Sequence, residues 1–71
     1  MFEAVARRLN GPGGFSKPAA TADEGAGLLL IMLRADGWTG NESALLEQLA
    51  AGEPVIHGNF EYQVTGVSSI D

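Results

Sequence analysis

The chain has 71 residues, no cysteine, and nine Asp and Glu against four Lys and Arg, for a formal net charge of −5. That length gives one small domain, residues 1–71, and the lack of cysteine excludes disulfide staples and thiolate metal sites. An apolar fraction of 45% with 18% charged residues excludes a disordered, highly charged chain.

The longest apolar run, Leu28 to Leu33, is six residues, against the ~20 a membrane span needs. At the N-terminus Arg7 and Arg8 follow the apolar residues, the reverse of a secretory signal, so a cytoplasmic location is expected. A domain of this size buries only ~60% of the surface its unfolded chain exposes. A homodimer is one way to complete so small a core.

Residues 2–9 read as a first helix, because Phe2, Val5, Ala6 and Leu9 fall on one helical stripe. Arg7 and Arg8 suit its last turn, and Asn10-Gly11 its cap. Residues 10–20, rich in Gly and Pro, read as a long loop without regular structure. Phe15 in its middle either pins the loop to the core or serves as a partner anchor.

Thr21 and Glu24 form a capping box that opens a second helix over residues 22–35, stopped by Gly37. Its run from Leu28 to Leu33 faces every direction, which predicts a central helix covered on most sides. Thr39 to Glu42 predicts a third helix over residues 40–51, with the stripe Leu45, Leu46 and Leu49. Trp38 caps the junction of these two helices or acts as an interface hot spot.

Residues 54–65 predict a hairpin turning at Gly58-Asn59, in which His57 opposes Phe60 and Val55 opposes Tyr62. That register buries Val55, His57, Phe60, Tyr62 and Val64 and turns Ile56 outward, whereas a three-residue loop would move Ile56 inside. Residues 67–70 either extend the strand after a bulge or pair with another chain's edge. The expected fold is therefore α+β, three helices followed by a C-terminal antiparallel hairpin (α-α-α-β-β).

This order resembles a winged helix-turn-helix in outline, so nucleic acid must be considered. The third helix offers Glu42, Ser43, Glu47 and Gln48, and no cation follows Arg34, which excludes a phosphate-tracking recognition helix. Catalysis fares no better. His57 is the only base of its kind, no serine lies in a nucleophile elbow, and Asn10 to Gly14 lacks the Lys-Ser/Thr of a phosphate loop. Glu42 and Glu47 are five apart, which is not a metal spacing. No enzyme activity, cofactor or metal is expected, and a pocket of the ~300 Å³ that small-molecule sites start from would strain so short a chain.

Charge is the most informative feature. Residues 1–35 carry +1, whereas residues 36–71 carry six carboxylates and no Lys or Arg. A cation-free half steers toward basic surfaces and away from phosphate. The expected function is that of a non-catalytic acidic protein binding a protein partner through a basic, nucleic-acid-binding surface, and so inhibiting it. Asp36, Glu42, Glu47, Glu53 and Glu61 are its candidate contacts, with Trp38 and Phe15 as apolar anchors. Small acidic inhibitors of phages and mobile elements, anti-CRISPR proteins among them, resemble this chain in size and charge only. The alternative is a homo-oligomeric structural or regulatory accessory subunit. A lesser option is small-ligand binding between the long loop and the hairpin.

Overall fold

The computed structural model describes residues 1–66. They form β1 (Phe2–Arg8), β2 (Gly14–Ala19), α1 (Ala22–Ala35), α2 (Glu42–Ala50), β3 (Val55–His57) and β4 (Phe60–Gly66). The strands make one antiparallel sheet in the order β2-β1-β4-β3, with the helices packed on one face. The fold is α+β, but two helices and four strands replace three helices and a hairpin. The order is β-β-α-α-β-β, and the winged-helix outline falls with it.

The expected helix at residues 2–9 is strand β1. Its side chains alternate, and Ala4 and Ala6 are 0% and 1% exposed beneath α1. The same residues fit a helical stripe, and alanine favours helix when alone. Pairing on both sides decides the matter. Ala4 lies opposite Lys17 in β2 and Val64 in β4, and Ala6 lies opposite Phe15 and Tyr62, so ladders on both edges take up the β1 backbone.

The expected loop over residues 10–20 contains strand β2, entered by a turn in which the Arg8 amide donates to the Gly13 carbonyl at 3.3 Å. Pro18 is tolerated because β2 is an edge strand, where one missing amide costs no ladder bond on the open side.

Helix α1 begins as expected. Thr21 Oγ1 accepts from the Glu24 amide at 3.1 Å, and Glu24 Oε1 accepts in return from the Ala20 amide at 3.3 Å. It ends at Gly37, whose φ of 89° lets its amide reach the Arg34 carbonyl and the Trp38 amide reach Leu33. Its burial is one-sided, however. Leu29 and Leu33 are fully buried, but Ile31 is 67% exposed. A two-layer fold has nothing to place over the outer face, so the helix is not central.

Helix α2 starts at Glu42 with Asn41 as its N-cap, accepting from the Ala44 amide at 3.0 Å, not at Gly40 with Thr39 as cap. Leu45 and Leu49 point into the core and Leu46 packs beside it. The β3-β4 hairpin takes the expected register, Val55 opposite Tyr62 and His57 opposite Phe60, with Gly58 at φ 62° in the turn. Ile56 is turned outward and 65% exposed. The strand extension expected at residues 67–70 lies outside the described residues.

Candidate functional site

The five carboxylates expected as contacts do not all lie on the same layer. Asp36 caps the C-terminus of α1, and its Oδ2 lies 3.6 Å from His57 Nε2. The same nitrogen is 3.3 Å from the Asp36 carbonyl, which can only accept, so His57 donates there and ties the hairpin turn to the helix end. Glu42 pairs with Arg34 and so links α2 to α1. Glu61 pairs with Arg7 across β4 and β1, on the sheet face away from the helices. Glu47 is exposed on α2, and Glu53 is exposed just after it.

Trp38 is half-buried against the core at the α1–α2 junction. A Cβ at Gly40 would lie 2.6 Å from its ring, so the chain there needs glycine to let the indole seat. Phe15 stands on edge strand β2 and is 42% exposed, so it does not pin its segment to the core.

Folding converts the charge division along the chain into one between layers. The helical segment, residues 21–54, carries Asp23, Glu24, Asp36, Glu42, Glu47 and Glu53 against Arg34 alone. The strands and their turns carry Arg7, Arg8 and Lys17 against Glu3 and Glu61. Asp23 and Glu24 thus join the acidic surface, although they precede Asp36 in sequence, and Glu61 leaves it. The only sequence signal for this regrouping was the helix boundary itself.

A cleft of about 430 Å³ opens between the C-terminal end of α1 and the turn ends of the two hairpins, contrary to the expectation of too little room. Met32 and Ala35 of α1 form one wall, Ala6 and Tyr62 of the central strands the floor, and Phe15 and Phe60 the flanks. Arg8 and Asp36 stand at its rim, and the Arg8 guanidinium lies 5.8 Å from the centre of the Phe60 ring. Burial, and then the nearby Asp36 carboxylate, raise the Tyr62 phenol above its ordinary pKa of 10.0. That Arg8 and Met32 meet Phe60 and Tyr62 was not legible, because they come from three elements far apart in the chain.

Among the described residues no three His, Asp or Glu side chains converge to hold a metal, and no helix is long and apolar enough to cross a membrane. No protein-family model, curated protein or solved structure matches the chain. The fold and the surface define its class: a small two-layer α+β domain with an acidic helical layer.

Proposed function

We propose that the protein is a non-catalytic partner-binding domain of the cytoplasm. It presents its acidic helical layer to a basic, nucleic-acid-binding surface of another protein and inhibits that protein by occupying the surface, as an inhibitor of phage or mobile-element type, similar to anti-CRISPR proteins in size and charge. The observation that supports this reading is the segregation of six carboxylates against one cation on the helical segment. Such a field speeds encounter with a basic partner and disfavours phosphate.

Each exposed carboxylate contributes little by itself, about 0.2–1 kcal/mol, because water and salt screen it. Together they set the association rate. The test is capture from native lysate with the wild-type chain beside a variant carrying Asp23→Asn, Glu47→Gln and Glu53→Gln, three exposed groups without an ion pair among the described residues. The triple variant stays folded and recovers far less partner at low salt, and wild-type recovery falls as salt rises. Equal recovery by both chains at every salt concentration sinks the proposal and moves the contact to an apolar surface.

A homo-oligomeric accessory subunit is the second reading. The helix-free face of the sheet supports it, with Ile56 exposed and Val5 half-buried. Sedimentation of the purified chain separates the two, since a stable oligomer without partner favours the second.

A further inference from the structure

We propose that the cleft beside the C-terminal end of α1 binds a small carboxylate with a flat apolar body, its anionic group held by Arg8 and the Tyr62 hydroxyl. The cleft borders the acidic helical layer at Asp36, but the ligand proposed here is held by Arg8 and Tyr62 of the sheet, so the proposal stands whether or not that layer binds a partner.

Two polar groups of the cleft have no hydrogen-bonding or ionic partner among the described residues. The Tyr62 side chain is 97% buried at 3% exposure, yet its hydroxyl makes no hydrogen bond among the described residues. It is not a sealed, unpartnered group of the core either, and its residue lines the cleft. Arg8 differs from the other arginines. Arg7 is paired with Glu61 and Arg34 with Glu42, whereas Arg8 has no carboxylate partner among the described residues. Phe60 holds its guanidinium in place from below.

Both groups donate hydrogen bonds, so the matching ligand atom is an acceptor, and a carboxylate offers two acceptor oxygens to a guanidinium fork. Asp36 is hydrogen-bonded to neither group among the described residues; its carboxylate lies 3.6 Å from His57, and its charge also reaches Tyr62 as the opposing charge of the rim. The remaining lining is apolar and includes Phe15, Phe60, Ala6 and Met32. Aromatic flanks over a small alanine floor favour a flat body. The volume of about 430 Å³ lies at the small end of the range for small-molecule sites, about 300–1,000 Å³.

The test is amide-resolved NMR titration of the full chain with naphthalene-2-carboxylate and, separately, its uncharged carboxamide. The acid shifts the amides of residues 6, 8, 15, 32, 60 and 62 and binds about ten-fold more tightly than the amide, the scale of one charge-assisted hydrogen-bond pair. Arg8→Gln abolishes that preference, and Arg8→Lys, which keeps the charge, retains part of it. Asp36→Asn removes a like charge from the rim and raises affinity for the acid without changing the amide. Each variant is checked for wild-type spectral dispersion before titration. Equal binding of acid and amide, a preference that survives Arg8→Gln, or shifts confined to the outer face of the helices overturns the proposal, as does the absence of any shift at millimolar probe.

Discussion

Tyr62 joins the core to the cleft through one side chain. Its ring packs with Leu29, Leu33 and Val64 while the residue also lines the cleft. Burial and the Asp36 charge both disfavour the phenolate, so the folded state holds the proton to higher pH than the unfolded chain does. The sign follows from linkage. Below 10.0 both states are protonated and stability is unaffected; above it the unfolded chain loses its proton first, and stability falls until the folded phenol also titrates. With one tyrosine in the chain, tyrosinate absorbance reports this group alone. The midpoint in the native protein lies above 10.0, and in denaturant it returns to the ordinary value. A native midpoint at or below 10.0 contradicts the buried placement.

At the scale of the element, two glycines in the first turns of α1 behave oppositely. Both cost helix stability relative to alanine, by about 1 kcal/mol each. A Cβ at Gly27 meets nothing within 4 Å, so Gly27→Ala stabilises the protein by up to about that amount. A Cβ at Gly25 lies 3.2 Å from both γ-methyls of Val64 and 3.6 Å from Ala19. Rotating Val64 relieves one methyl only by bringing up another atom, so the contact outweighs the helical gain and Gly25→Ala destabilises. Urea unfolding of the two variants shows the contrast, and two stabilising changes would mean that α1 does not sit this close to β4. The signals that opened and closed α1 were fully legible in Thr21, Glu24 and Gly37, because each is satisfied within five residues of itself. Its outer face was not. A continuous apolar run carries no mark of which side a second layer will cover, and Ile31 beside Leu30 differs from Leu29 only in where the sheet stands.

On the scale of the whole molecule, the first strand is central although it is first in sequence. β1 lies between β2 and β4, and its register joins Phe2 to Gly66 and Arg8 to Phe60. Deleting residues 1–8 therefore removes Ala4 and Ala6 from the core and leaves the β3-β4 hairpin without its neighbour. A two-stranded hairpin is marginal in water, and the truncated chain shows no cooperative thermal transition by circular dichroism. Loss of only a peripheral two-turn helix would leave that transition in place, so the experiment separates the sheet from the layout expected of residues 2–9.

What could be read from residues alone were features closed by short-range bonds: the capped start and glycine stop of α1, the Leu45 and Leu49 stripe of α2, and the Gly58-Asn59 turn, with its register one of two candidates. Tertiary structure alone decided that residues 2–8 are a strand, that Gly14–Ala19 is ordered beside it, that the carboxylates divide by layer, and that Arg8, Phe15 and Tyr62 share a cleft. The physical reason is the same in each case. The backbone of β1 finds half of its hydrogen-bond partners 52 to 64 residues away in β4, and until that ladder closes, a segment of alanine and arginine has as much reason to coil as to extend.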